Sequence, residues 1–255
     1  MTTATQLFDL LIINLDRSYA RWQHMSGHLD KLGFDYQRIT AIDGNDISNQ
    51  IINRHYAAIE NRRCYFAPLR MTEIACFLSH RKALSYFLEQ GKQDCLILLE
   101  DDVAFLNCPA LRQNLNALAM RVANNGSALV KLYAKRTISG NLLQVANSSV
   151  HLVKPVLAPL GTQAQMWNRN SATIFLSKTS KFYQPVDVAL QYWWKFGIDL
   201  QVVQPRLVRE LSNEVGGSII SQAKQLPNIK KLKQEIARPW FRLKLWLQSR
   251  LHYYR

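Results

Sequence analysis

The stretch CLILLEDDVAF, Cys95 to Phe105, sets three adjacent carboxylates, Glu100, Asp101 and Asp102, directly after a run of apolar residues. The apolar run suits a buried strand, so the acids stand at its C-terminal end, where like charges repel and lose hydration. Open α/β sheets bind their ligands at such strand ends. A hard divalent cation would relieve the repulsion. An all-oxygen donor set suits Mg2+ or Mn2+, which commonly bridge to phosphate oxygens. The plainer reading is a solvated loop whose acids cap a following helix, and the triplet alone does not separate the two.

Other polar groups stand at comparable positions. Asn14, Arg17 and Arg21 follow the first apolar run, LFDLLIINL (7–15). Arg17 and Arg21 are four apart, so on a helix they share a face near its positive end, a good place to meet an anion. Ordinary surface arginines have the same spacing. Asp43 and Gly44 close a second run, YQRITAIDG (36–44), where nucleoside contact and a plain Asp-Gly turn are both common. Glu73, Cys76 and His80 fall on one helix face, a zinc-like spacing. Three mixed ligands without a fourth more often form a packed or hydrogen-bonded cluster. Asp187 follows Pro185 at the start of a helical pattern, where the helix dipole stabilises a carboxylate.

The elements that would position these groups alternate in kind. Residues 7–15 predict a buried parallel strand. Trp22, Met25, Leu29 and Leu32 then recur at helical spacing, with Ser18 to cap the helix and Gly33 to stop it. A strand over 36–44 follows, and this strand, helix, strand unit favours a parallel α/β sheet. Residues 46–70 have weak periodicity. Residues 71–92 predict a long helix capped by Thr72 and ended by Gly91, and CLILL predicts the central strand. Leu111, Leu115, Leu118 and Val122 mark a further helix, while 128–134 and 151–158 are strand candidates. From 171 the pattern predicts strand, short helix, loop, helix and strand. The expected fold class is α/β, with a Rossmann-type, mostly parallel sheet flanked by helices over 1–220 and a basic helical C-terminal extension over 221–255.

At 255 residues and 48% hydrophobic content, the chain can bury a full core without staples. Its 32 Lys and Arg against 18 Asp and Glu give a net charge of +14, which implies an anionic partner: nucleic acid, a phospholipid surface or a phosphorylated small molecule. Cys64, Cys76, Cys95 and Cys108 lack C-x-x-C spacing, as expected of reduced thiols inside a cell. The opening MTTATQLFDLLIINLD has neither a basic n-region nor a cleavage site, and its apolar run falls short of the ~20 residues that span a bilayer. A cytoplasmic location is expected.

Taken in order, INLDRSYARWQHM, ITAIDG, TEIACFLSHRKAL, LILLEDDVAF and QPVDVALQYWWKFGIDLQVVQPRLV resemble glycosyltransferase family 25. Its members are lipooligosaccharide galactosyltransferases of Gram-negative bacteria and their collagen-modifying relatives. GSII resembles a segment near the family's end, so the likeness covers residues 8–220. The family typically shows INL-x-R-x-x-R, then GE-x-G-C-x-x-SH, EDD and P-x-D. This chain departs by Met71 and Thr72 before Glu73 and by Ala75 where Gly is usual, and 135–170 matches nothing in the pattern.

The resemblance implies a GT-A-like fold that binds a nucleotide-sugar and inverts at the anomeric carbon. The donor implied is a UDP-hexose, with UDP-galactose the commonest, and the acceptor a sugar of the lipopolysaccharide or lipooligosaccharide (LPS/LOS) core. It also implies Mn2+ or Mg2+ at Glu100, Asp101 and Asp102, with Asp102 the first ligand. Donor contacts would come from Asn14, Arg17, Arg21, Asp43, Gly44, Ser79, His80 and Asp101. Asp187 would deprotonate the acceptor, a third metal contact being its alternative role. For His80 a supporting role is the alternative.

The last thirty residues, LPNIKKLKQEIARPWFRLKLWLQSRLHYYR, hold one acid, Glu235. Pro239 can start a helix on which Trp240, Leu243, Trp246, Leu247 and Leu251 share a side. A basic amphipathic helix with tryptophans suits the headgroup region of an anionic leaflet, which would make the protein peripheral on the cytoplasmic face of the inner membrane. The same helix would also serve simply to pack on the domain. Two other functions stay open. Acidic strand ends also serve Mg2+-dependent phosphohydrolases, although no D-x-D-x-T follows the first strand. The net charge of +14 would suit a nucleic-acid-binding protein. No such motif is present and the basic excess is strongest at the C-terminus, so nucleic acid is not an expected partner.

Overall fold

The computed structural model describes residues 5–106, 110–211 and 228–253. The chain opens with β1 (Asp9–Asn14), α1 (Tyr19–Lys31) and β2 (Gln37–Thr40). Two short helices, α2 (Asn49–His55) and α3 (Ala58–Cys64), fill the weakly periodic connection, and α4 (Met71–Gln90) leads into β3 (Cys95–Glu100) and β4 (Val103–Phe105). Next come α5 (Leu111–Ala123), β5 (Ala128–Lys131), β6 (Leu142–Gln144), β7 (His151–Val153), β8 (Ala164–Asn168) and α6 (Arg169–Lys178). The remaining elements are α7 (Val186–Gln191), α8 (Trp193–Phe196), β9 (Asp199–Gln204), β10 (Val208–Glu210) and α9 (Asn228–Tyr253).

Eight strands form one sheet in the order β2, β1, β3, β8, β5, β9, β7, β6, and β4 pairs separately with β10. Strands β7 and β8 run against the others, so the sheet is mostly parallel and Rossmann-like. Helices cover both faces. Leu10 and Ile12 of β1 pack with Met25 and Leu29 of α1 and with Leu115, Leu118 and Val122 of α5. Leu11 and Ile13 belong to the opposite cluster, with Phe77, Leu84 and Phe87 of α4. A strand buried on both sides needs apolar residues at every position, hence the unbroken run in the sequence. Phe77 stacks on Phe182 at 3.9 Å between centroids and on Phe175 at 5.8 Å, tying α4 to α6 and to the segment before α7.

Several boundaries differ from the expectation. Residues 171–176 are helical: the Asn168 side chain accepts from the Ser171 N–H and starts α6, so a local cap overrides the β-branched composition. Thr72 does not cap α4. Arg70 holds the N-cap, and Glu73 reaches back to accept its backbone N–H at 2.8 Å. Ser18 occupies the N-cap of α1 without a side-chain bond. Pro239 lies inside α9 instead of starting it; both it and Glu235 are exposed, so the carbonyl it leaves unbonded is open to water. Strands β6 and β8 fall within 135–170, where the sequence predicts only the strand at 151–158. The GSII segment and the expected boundary at 220/221 lie outside the described residues.

Asn168 does more than cap. Its amide donates to Val122 O, Asn125 O and Gly126 O at 3.0, 2.9 and 3.0 Å. One buried side chain therefore joins the end of β8, the start of α6 and the turn before β5. Asn168→Ala should cost about 2–4 kcal/mol, the loss of a cap plus buried carbonyls left unpaired. Urea denaturation measures it, and a loss below about 1 kcal/mol would mean that water replaces the amide.

Candidate active site

Strand β3 ends at Glu100, and each acid of the triplet meets a different environment. Asp101 is buried, its Oδ2 accepting from Asn14 Nδ2 at 2.7 Å and its Oδ1 from Arg21 Nη1 at 3.0 Å. The Asn14 oxygen is itself held by Arg38, through Nε at 2.9 Å and Nη2 at 2.7 Å. Burial pushes the Asp101 carboxyl up, the Asn14 bond and the Arg21 charge pull it back, and it stays above its ordinary value. Glu100 Oε1 accepts from Thr162 Oγ1 at 2.6 Å and lies 3.1 Å from His80 Nε2. Burial raises Glu100 too, but the His80 and Thr162 bonds and the Lys131 charge outweigh it and hold the carboxyl below its ordinary value.

Asp102 has no such support. Its Oδ1 is buried without a hydrogen-bond partner. Burial, with Glu100 and Asp101 beside it, pushes its carboxyl up to about 7.

Two cavities meet at the triplet. One is lined by Arg17, Arg21, Ile42, Gly44, Ser79 and His80 together with the three acids. The other is lined by Glu100 and Asp102 with Asp187, Gly161, Phe241 and Arg242. Asn14 lines neither and serves as the brace of Asp101. Arg17 precedes α1, so it shares a cavity with Arg21 but not a helix face, and its Nε pairs with Asp43 Oδ2 at 2.7 Å. Gly44 presses on the start of α4: a Cβ there would come within 2.9 Å of Met71 C and Thr72 N. Ser79 Oγ accepts from Ile42 N and donates to Ala75 O, both at 2.8 Å, which pins the same loop to α4.

The Asp187 carboxylate is fixed by two backbone donors, Gly161 N at 3.1 Å and Val188 N at 2.8 Å. Gly161 has φ +90°, a conformation that favours glycine. The Glu73, Cys76, His80 helix face divides, because Glu73 caps α4 while Cys76 and His80 meet Glu100. Their ligand atoms lie within 4.8 Å of one another. Burial and the surrounding acids, Glu100 and Asp187 first, raise the Cys76 thiol well above its ordinary value, so it stays protonated at neutral pH.

Sequence reasoning misses Thr162, Gly161, Lys131, Phe241 and Arg242. Lys131 is fully buried at the end of β5 and donates to Pro159 O. Burial brings its ammonium down to about 8 against the pull of Asp187 and Glu100. The available signal was one lysine inside the apolar strand ALVKLYA. Thr162 and Gly161 belong to a loop that carries no motif.

Asp102 offers a buried, unpartnered oxygen, a donor type that suits Mn2+ or Mg2+. The three acids do not converge as a ligand set, however: among the described residues the group whose ligand atoms come together is Cys76, His80 and Glu100. Both Asp101 oxygens already accept one bond each.

Residues 8–190 match a family model described as Glycosyltransferase family 25 (LPS biosynthesis protein). Similar relatives include the Glycosyltransferase 25 family member of Anopheles gambiae, 33% identical over 106 residues, 39% of this chain and 17% of that protein. The one from Drosophila melanogaster is 31% identical over 119 residues, 45% of this chain and 18% of that protein. The chain thus matches less than a fifth of the length of these relatives. The crystal structure of A197 from STIV aligns with 76% of this chain and 81% of that one at 14% identity and a TM-score of 0.36, too slight a likeness to carry an argument.

Asp102 sets a pH dependence. Its folded value of about 7 lies above the ~3.9 of an unfolded aspartate. Between those values the folded state keeps a proton that the unfolded chain has released. In a chelating buffer this group's contribution to stability is therefore lost as pH rises from about 4 through about 7. Melting the wild type and Asp102→Asn across that range should show the gap between them widening in the variant's favour. A constant gap would contradict the raised carboxyl.

Proposed function

The chain belongs to glycosyltransferase family 25, and on that footing we propose that it transfers a hexose from a nucleotide-sugar to an acceptor hydroxyl. The observation that carries this reading is the meeting of two cavities at Asp102, a half-buried carboxyl whose Oδ1 is buried without a partner. The nucleoside diphosphate is assigned to the cavity with Arg17, Arg21 and Gly44 in its lining, where Arg21 is committed to Asp101 and the exposed Arg17 would exchange Asp43 for a phosphate. The cavity with Asp187, Phe241 and Arg242 suits the acceptor sugar, which offers a face to an aromatic ring and hydroxyls to polar groups. The finer assignment is UDP-galactose as donor and a core sugar of LPS or LOS as acceptor, in line with the family description. A lipid-linked acceptor of that kind would be met by a peripheral enzyme at the cytoplasmic face of the inner membrane.

In this reading Asp102 and Glu100, with Asp101 beside them, hold Mn2+ or Mg2+, which when bound supplies positive charge beside the departing diphosphate. The protein's own groups do the rest. Arg21 and Asn14 neutralise Asp101, which leaves Glu100, held ionised, and Asp102, whose carboxyl gives up its proton near neutral pH, to face a cation. Asp187 accepts the proton of the acceptor hydroxyl as it attacks the anomeric carbon, a single displacement with inversion. Its two backbone donors orient the carboxylate before substrate arrives.

Asp102→Ala should leave a folded protein whose sugar transfer falls by about 10²-fold or more. Undiminished transfer by the wild type in EDTA would sink the metal assignment. Asp187→Asn should lower turnover by about 10²–10⁴-fold while nucleotide binding persists. Because Gly161 N shares that carboxylate, a melting curve belongs beside the kinetics. Weaker donor binding at unchanged turnover would make Asp187 a binding residue.

A further inference from the structure

Helix α9 has two apolar faces. The inner one packs on the domain: Phe241 meets Tyr65 edge-on at 5.2 Å between centroids, Leu245 is buried with Val188 and Tyr192, and His252 stacks on Trp194 at 5.2 Å. Ser249, also buried, donates to Val156 O. A helix seated in this way ordinarily turns charged and polar residues outward. Here the outward face carries Ile236, Trp240, Leu243, Trp246, Leu247 and Leu251, at 61, 71, 48, 37, 49 and 67% exposure. The spacing from 236 to 240, 243, 247 and 251 is that of one helical stripe, lying away from Leu245 and Ser249. Packing on the domain therefore accounts for the inner apolar face of this helix and leaves the outer one unexplained.

We propose that the outer face of α9 is a docking surface for an anionic lipid bilayer, with the helix lying in the headgroup region. Charge selects this occupant. Lys244 and Arg250 flank the stripe on either side, while Arg238 pairs with the helix's one acid, Glu235, and Arg242 lines the inner cavity. Arg250 lies over the Trp246 ring at 5.2 Å, so cation and aromatic form one amphipathic unit. Tryptophans and basic residues flanking an apolar stripe match the boundary between headgroups and acyl chains. A second copy of the chain would bring the same cations and a further +14 of charge, so like would face like. Nucleic acid would leave the leucines uncovered. Among the described residues no helix is long and apolar enough to cross a membrane, so the contact is one of lying on the surface.

The inner and outer faces are linked by position. Phe241 and Arg242 line the cavity that holds Asp187 from the inner side of α9, so a bilayer seated on the outer face would lie one helix diameter, roughly 10 Å, from it. That this delivers a lipid-linked acceptor rests on the transferase reading above; the docking does not.

The test uses the full chain and sugar-free vesicles, of phosphatidylcholine alone or mixed with phosphatidylglycerol. Deleting the helix would be the wrong variant, because it would also strip Tyr65, Val188 and Tyr192 of their cover. Trp240→Ser, Leu243→Ser and Leu247→Ser combined alter only the exposed face. The wild type should sediment with anionic vesicles, release as salt rises, and shift its tryptophan emission to the blue. The triple variant should keep its melting temperature and bind at least about tenfold more weakly. Lys244→Gln with Arg250→Gln should weaken binding by about tenfold or more at low salt and leave less salt dependence. Equal binding by wild type and triple variant would overturn the proposal. So would a wild type that ignores anionic vesicles, or one that self-associates through this face instead. Vesicle binding without any sugar transfer would leave the docking intact and remove only the transferase reading.

Discussion

The buried pair of Arg21 with Asp101 is the contact on which the acidic strand end depends. Three neighbouring carboxylates cannot all stay ionised out of water unless most of the charge is answered. Arg21 answers one, and Asn14 completes it with a hydrogen bond. The brace extends outward, since Asn14 is gripped by Arg38 of β2, which in turn reaches Asp16 at 2.7 Å. The ends of β1, β2 and β3 and the first turn of α1 are thereby locked around one charge. Removing a single partner from such a pair typically costs about 3–5 kcal/mol, a large share of the stability of a whole domain.

With Asp101 settled, the other two acids part company. Glu100 leans on His80 and Thr162 and stays ionised, while Asp102 is left unmatched where the two cavities meet. Adjacent carboxyls held on opposite sides of their ordinary values can do different work at one pH. The difference arises from partners contributed by β1, α1, α4 and the loop before β8, none of which is adjacent to the triplet in sequence.

That distribution explains what the sequence makes legible. Apolar runs and helical spacing disclose β1, α1, α4, β3 and α5, because each of these elements buries its own pattern. The carboxylates are visible because three acids after CLILL stand out. What hides is pairing across the fold. Nothing near Arg21 signals that its partner is Asp101, eighty residues later, instead of an incoming anion. Asn168 starts a helix over SATIFL by a local bond that composition does not show. Lys131 and Thr162 acquire meaning only once β5 and the loop before β8 are brought beside the triplet. The C-terminal stripe is plain in the sequence, but only the packing of Phe241 and Leu245 shows that the apolar face off the domain is the second of two.

The loop from Ala158 to Gln163 ties these parts together. Gln191 and Lys131 hold the carbonyls of Ala158 and Pro159, Gly161 N holds Asp187, Thr162 holds Glu100, and Gln163 O accepts the Glu100 N–H. It borders the cavity without being free to vary as most loops do. A graft from a relative would have to bring along β5, the end of β3 and the start of α7, so the loop cannot be exchanged as a cassette. Variation is thereby steered to the rim at Tyr65, Phe66 and Phe241, whose contacts are ring against ring and tolerate exchange of one aromatic for another. In this scaffold the hydrogen-bonded loop and the aromatic rim can drift at different rates, because one is held by hydrogen bonds to β3, β5 and α7 and the other by ring contacts.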